Sequence, residues 1–224
     1  MTFTMIDELI KPFNASANPE KAAEMSRYMK NRFQFYGIPK PLRAELQKPF
    51  LQTLLKADYQ TIELVISELW NNSHREMQYA AMDLMIKTKI WKHEKAITLL
   101  EKLITHKSWW DTVDLLAGRC VGSYFLHFPE KRDEVIESWI QSPNMWLNRT
   151  AIIFQLSYKQ QTDEGLLFHC AEFFSGSKEF FIQKAIGWAL RQYARTAPDR
   201  VLLFVETHDL KPLSRREALK HFPK

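Results

Sequence analysis

Apolar residues recur along this chain at three- and four-residue steps, and polar punctuation divides them into helix-length segments. Tyr59–Trp70 carries Ile62, Val65, Ile66 and Leu69, and Asn71-Asn72-Ser73 ends the run. Lys92–Thr105 carries Ile97, Leu100, Leu103 and Ile104, after which Ser108 is expected to cap the helix that follows. Pro129 fits the first turn of a helix whose apolar positions are Val135, Ile136 and Ile140. Thr162-Asp163-Glu164 and Pro198-Asp199 read as two further helix starts. Earlier in the chain, helices are expected near residues 19–35 and 41–56. No strand-type alternation is sustained anywhere.

A weak repeat organises these helices. Gln78-Tyr79-Ala80-Ala81, Asn148-Arg149-Thr150-Ala151, Gln183-Lys184-Ala185-Ile186 and Arg216-Glu217-Ala218-Leu219 each set two polar residues before two small or apolar ones. Asp111-Thr112-Val113-Asp114 fits the same register less well. Spacings of 33, 37, 35 and 33 residues separate Gln78, Asp111, Asn148, Gln183 and Arg216. A period near 35 built from helix pairs marks an α-solenoid, shorter than the roughly 40–47 of typical HEAT and armadillo repeats. The expected fold is all-α: one domain over 1–224, with an atypical helical cap over 1–57 and helix-pair repeats over 58–224. Arg149 and Lys184 occupy equivalent positions one repeat apart, so both are expected on one basic stripe of the open face. Trp188, four residues past Lys184, shares that face.

Composition narrows the classes that remain. Six glycines in 224 residues disfavour turn-rich β architectures. A net charge of +5 is compatible with nucleic acid without requiring it. Cys120 and Cys170 lie in separate helical stretches without metal-ligand spacing, and are expected to be packed, reduced thiols. The seven histidines form no ligand pattern, so neither a metal nor another cofactor is expected. The first residues lack a basic n-region, and no apolar run is long enough to span a membrane. Gly118 and Gly122, four apart on a helix, are expected to permit close helix packing.

The densest chemistry sits in Ser108-Trp109-Trp110-Asp111-Thr112-Val113-Asp114. Trp110 and Asp114 are four residues apart, which on a helix puts an electron-rich ring beside a carboxylate at roughly 5–6 Å between Cβ atoms. Such a pair attracts a cation, or a transition state that becomes one. Taken singly, Asp114 is more simply an exposed helix carboxylate, and Trp110 and Trp188 are more simply solenoid core. Arg149 admits a structural ion pair, but its place on the stripe with Lys184 favours a phosphate contact. For Tyr28, packing and DNA contact stay open.

Three long segments change that weighting: Lys107–Asp114, Trp146-Leu147-Asn148-Arg149-Thr150-Ala151-Ile152, and Ser177–Trp188, which contains Gln183-Lys184-Ala185-Ile186-Gly187-Trp188. With weaker echoes at Arg27-Tyr28-Met29-Lys30-Asn31 and Gly37-Ile38-Pro39-Lys40-Pro41, the chain resembles the AlkD-like family of DNA alkylation-repair glycosylases. The resemblance implies a superhelix of HEAT-like repeats that hydrolyses the N-glycosidic bond of cationic purines such as 3-methyladenine and 7-methylguanine. It implies Asp114 as catalytic aspartate, Trp110 and Trp188 as the cleft tryptophans and Arg149 as the essential arginine. Pro39 departs from the polar residue some relatives carry in the loop facing DNA. The expected enzyme is a cofactor-free, monomeric glycosylase acting on duplex DNA in the cytoplasm, associated with the nucleoid. Two other readings remain: a non-catalytic solenoid that senses distorted or alkylated DNA, and a HEAT-type protein scaffold.

Overall fold

The computed structural model describes residues 5–222, and the described chain is all-α. Strand-type pairing among these residues amounts to an isolated bridge between Gln34 and His74. The chain divides into two compact units, Met1–His93 and Glu94–Lys224. The expectation of a cap over 1–57 concerned repeat phase, and the division after His93 concerns compactness.

In the first unit, α1 (Asp7–Ala15), α2 (Pro19–Tyr28), α3 (Lys40–Leu54), α4 (Tyr59–Asn71) and α5 (Arg75–Thr88) enclose a core that includes Leu9, Phe13, Leu51, Ile66, Leu69 and Trp70. Helix α1 was not anticipated from the patterning, and α2 stops at Tyr28, short of the expected 35. Side-chain oxygens of Asn18 and Asp58 accept from Lys21 and Thr61 N–H, capping α2 and α4. Between α2 and α3 the backbone N–H groups of Tyr36, Gly37 and Ile38 all donate to the buried Glu76 carboxylate on α5, at 2.9–3.2 Å. A carboxylate can accept several such bonds, so one side chain satisfies a loop that has no regular partner. Gly37 has φ +82, and a Cβ there would lie 2.1 Å from the Asn18 carbonyl oxygen. Only glycine fits that turn.

The second unit stacks helix pairs. Its helices are α6 (Ala96–Thr105), α7 (Trp110–Leu115), α8 (Gly122–His127), α9 (Arg132–Gln141), α10 (Met145–Ile153), α11 (Glu164–Phe173), α12 (Phe180–Tyr193), α13 (Pro198–Thr207) and α14 (Pro212–Ala218). Helix α9 packs on α10, α11 on α12 and α13 on α14. The second helices also contact one another in sequence, α7 to α10, α10 to α12 and α12 to α14. Each repeat thus buries its apolar face against its neighbours, as a solenoid does. Asp163 and Pro198 start helices as expected, while Pro129 opens a short 3₁₀ turn before α9.

The repeat register has a physical cause. The side-chain amide of Gln78 donates to the carbonyls of Leu69, Trp70 and Asn72, which lie nine, eight and six residues upstream. Asn148 donates to those of Trp139, Ile140 and Ser142, at the same three offsets. Gln183 reaches the Ser177 carbonyl, again six residues back. Carbonyls at a helix C-terminus lack intrahelical donors. The amides of Gln78 and Asn148 supply them and lock α5 to the end of α4 and α10 to the end of α9.

Ser108 does not cap α7. Its hydroxyl instead donates to the Ile104 carbonyl at 2.6 Å, closing the end of α6, and α7 begins without a side-chain cap. Between α7 and α8, Leu116–Val121 winds as a π-helical turn. The two glycines near it behave differently. A Cβ on Gly118 would meet nothing within 4 Å, whereas one on Gly122 would lie 2.6 Å from the Phe154 carbonyl oxygen. Close packing therefore explains Gly122 alone. Both cysteines are free and buried, and burial pushes each thiol up to about 12. Among the described residues no helix is long and apolar enough to cross a membrane.

Candidate active site

Four helices of the second unit contribute to one pocket of about 310 Å³. Helix α7 places Trp110 and Asp114 on its wall one turn apart, as their spacing predicts. Helix α10 adds Arg149. Helix α12 adds Phe180, Phe181, Lys184, Trp188 and Arg191 from successive turns, and α14 adds Glu217. The expected meeting of Trp188 with Trp110 and Asp114 occurs.

Arg149 organises the floor. Its Nε donates to Asp114 Oδ1 at 2.7 Å and its Nη2 to Oδ2 at 2.9 Å, while Nη1 donates to the Phe181 carbonyl. The arginine is 4% exposed. Behind it, Trp109, Trp146 and Phe181 form an aromatic cluster with ring centroids 5.0–5.8 Å apart, two of the three contacts edge-on. The expectation that Arg149 emerges on an exposed basic stripe is therefore corrected. Helical register put Arg149 and Lys184 on equivalent faces. However, Arg149 faces the carboxylate of the preceding repeat, and its guanidinium lies 5.8 Å from the centre of the Phe181 ring.

Lys184 stays more accessible, with 39% of its side chain exposed, and it too is paired. Its Nζ lies 2.9 Å from Glu217 Oε1, while Arg191 Nη1 lies 2.6 Å from Oε2 and also donates to the Glu217 carbonyl at 3.0 Å. Hydrogen bonds from Lys184 and then Arg191 hold the Glu217 carboxyl down at about 2. The sequence analysis assigned no site role to Arg191 or Glu217. Glu217 nevertheless stands at the repeat position of Arg149 and Lys184, a signal that was present.

Tyr28 belongs to the first unit. It ends α2 with 68% of its surface exposed and lines a separate pocket with Met25, Phe35, Arg43 and Tyr79. Trp70 and Trp139 are core. No group of histidine, cysteine or carboxylate side chains suited to a metal ion occurs among the described residues.

The pocket thus sets the Asp114 carboxylate beside two indole rings, with Lys184 and Arg191 tied to Glu217. That arrangement suits stabilising positive charge that develops on a bound group. Comparison with known proteins agrees with the sequence resemblance. A profile of the family described as DNA alkylation repair enzyme matches residues 9–222. The solved structure of a predicted DNA alkylation repair enzyme from Enterococcus faecalis is 34% identical, with a TM-score of 0.87 over 93% of this chain and 97% of that one. Among curated proteins nothing matches. The profile spans nearly the whole chain, and the chain belongs to the DNA alkylation repair enzyme family.

Proposed function

We propose that the protein is a monofunctional DNA glycosylase that hydrolyses the N-glycosidic bond of cationic alkylated purines, 3-methyladenine and 7-methylguanine, in duplex DNA. The observation that carries this reading is Asp114, held by Arg149 in a pocket that Trp110 and Trp188 also line. A purine alkylated at N3 or N7 already bears positive charge, so it leaves without a general acid. As the bond between C1′ and the base nitrogen breaks, its electron pair goes to the purine, which becomes neutral, and the sugar becomes oxocarbenium-like. The Asp114 anion stabilises that cation and orients a water molecule, whose oxygen bonds to C1′ and whose proton passes through the carboxylate to solvent. Each carboxylate oxygen has about two acceptor sites, and Arg149 takes one on each. The indole rings of Trp110 and Trp188, on the same pocket wall, add π-electron density that stabilises the sugar cation.

Arg149 is a positioning residue in this scheme, and DNA contact falls to Lys184 and Tyr28. No cofactor is required, and the protein works as a monomer on cytoplasmic, nucleoid-associated DNA. The alternative is a DNA-binding protein that recognises alkylated or distorted duplex without chemistry. Incubation with methylated duplex DNA, followed by chromatography of released purines, separates the two. Free 7-methylguanine supports the glycosylase, and binding without release supports the sensor.

A further inference from the structure

The charged groups in the pocket are unequal in sign: Arg149, Lys184 and Arg191 against Asp114 and Glu217. Arg149 is committed to Asp114, and the two remaining cations share Glu217. This matters because both the substrate base and the reacting sugar would carry positive charge. Two unneutralised cations on the wall that carries Trp188 would oppose the same charge that Asp114 is there to stabilise. They would equally attract the phosphates of any DNA, damaged or not.

The placement of Glu217 is built into the packing of two helices. Gly187, next to Trp188, faces α14, and a Cβ there would lie 2.4 Å from Glu217 Cβ and 2.7 Å from the Ser214 carbonyl oxygen. The missing side chain admits the stem of Glu217 between Lys184 and Arg191, one turn on either side of Trp188. The carboxylate is 15% exposed and contacts both cations within 3 Å. It therefore carries its negative charge throughout the neutral range.

Resting on the glycosylase reading, we infer that Glu217 is a specificity-determining positioning residue. It neutralises Lys184 and Arg191 so that the pocket favours a cationic purine over ordinary DNA. The cost is weaker binding to undamaged duplex, because the two cations are shared with a carboxylate.

The test uses the full chain and three variants: Glu217→Gln, Glu217→Asp, and the double variant Arg191→Met/Glu217→Gln. Affinity for undamaged duplex is measured against salt concentration, and release of 7-methylguanine is measured in single turnovers with enzyme in excess. Thermal melting checks that each variant folds. E217Q should bind undamaged duplex more tightly, with a log K against log salt slope steeper by about 0.9–1.8, as one or two cations become available to phosphates. Its single-turnover rate should fall by about tenfold, the scale of one unit charge acting across a pocket at intermediate dielectric. The double variant removes a cation together with the anion, and should recover the wild-type slope and rate. A purely structural tie between α12 and α14 predicts the reverse, namely that the double variant is at least as impaired as the single one and that neither binds more tightly. E217D retains the charge and should match the wild type in both readouts, so it decides the question if E217Q does not fold. Wild-type slope and rate in E217Q overturn the inference, as does E217D behaving as a tight-binding, slow enzyme. If the wild type itself releases no base, the glycosylase reading fails instead, and this inference fails with it.

Discussion

Arg149 grips Asp114 through two parallel hydrogen bonds, Nε to Oδ1 at 2.7 Å and Nη2 to Oδ2 at 2.9 Å, across one full repeat of the solenoid. The fork fixes the plane of the carboxylate as well as its charge, which an ammonium group cannot do. Its third contact, to the Phe181 carbonyl, ties that orientation to the start of α12. Thus α7, α10 and α12 are all registered through one guanidinium.

Arg149→Lys keeps the charge and loses the fork. Single-turnover excision of 7-methylguanine should fall by about 10²-fold, the scale of a misplaced reacting group. Because Arg149 is buried, the salt dependence of binding to undamaged duplex should not change. A slope reduced by about one unit would show that Arg149 meets a phosphate after all.

Asp114→Asn removes the anion and keeps the shape. Excision should fall by about 10²–10³, typical for one preorganised electrostatic group, with little change in DNA affinity. The fold should persist, although Arg149 becomes a buried cation without its counter-ion and the melting temperature should drop. Near-normal release of 7-methylguanine by this variant would remove Asp114 from the mechanism.

What the patterning made legible was whatever depends on neighbours within a helix. Ile62, Val65, Ile66 and Leu69 are all buried, and Trp110 and Asp114 share one wall. Asp163 caps α11 because capping is a contact over three residues. The depth of Arg149 was not legible, because it depends on Asp114 and Phe181, which the fold brings from two other helices. Ser108 had two carbonyl-rich or donor-rich helix ends within reach, and local rules name only the one ahead of it. Likewise the π-helical turn at Leu116–Val121 leaves no mark on apolar spacing, and Glu217 gains meaning only when α14 meets α12 at Gly187.

The glycines give a paired stability prediction. Gly118→Ala meets open space in a helical segment and should stabilise the protein by up to about 1 kcal/mol. Gly187→Ala gains the same propensity but drives a Cβ against the Ser214 carbonyl oxygen and the stem of Glu217. Overpacking costs about 1–3 kcal/mol, so the net change should be destabilising. Urea denaturation of both variants checks the sign, and a stabilised G187A would mean that α12 and α14 separate easily.

Acid should loosen the junction of α12 with α14. The Glu217 carboxyl is depressed to about 2 in the folded protein by Lys184 and Arg191, against an ordinary value near 4.5. Its contribution is therefore complete above the unfolded value and is lost as pH falls from about 4.5 through 2. Between pH 5 and 3, wild-type stability should decline more steeply than that of E217Q, measured by denaturation at each pH. Parallel declines would show that the ion pairs contribute nothing to the fold.

Lesion choice follows from where the charge sits. In the proposed reaction, catalysis rests on a leaving group that is already cationic and on the Asp114 carboxylate stabilising the sugar. Selectivity should therefore track the formal charge of the adduct more than the shape of its edge. A pocket that reads a flipped base stacks it between aromatics and hydrogen-bonds its edge. This pocket has the aromatics, but Arg149, Lys184, Arg191 and Glu217 are already engaged with one another or with Asp114. The expected substrates are 3-methyladenine and 7-methylguanine, with little or no release of neutral lesions such as hypoxanthine or ethenoadenine. Lys184, the lysine on the pocket wall, is paired with Glu217, which disfavours its acting as a nucleophile on the sugar carbon. The product should then be an intact abasic site. Chromatography of bases released from duplexes carrying each lesion, with borohydride present to trap any imine, checks both points. Efficient hypoxanthine release, or a trapped protein–DNA adduct, would contradict a mechanism driven by the charge of the leaving base.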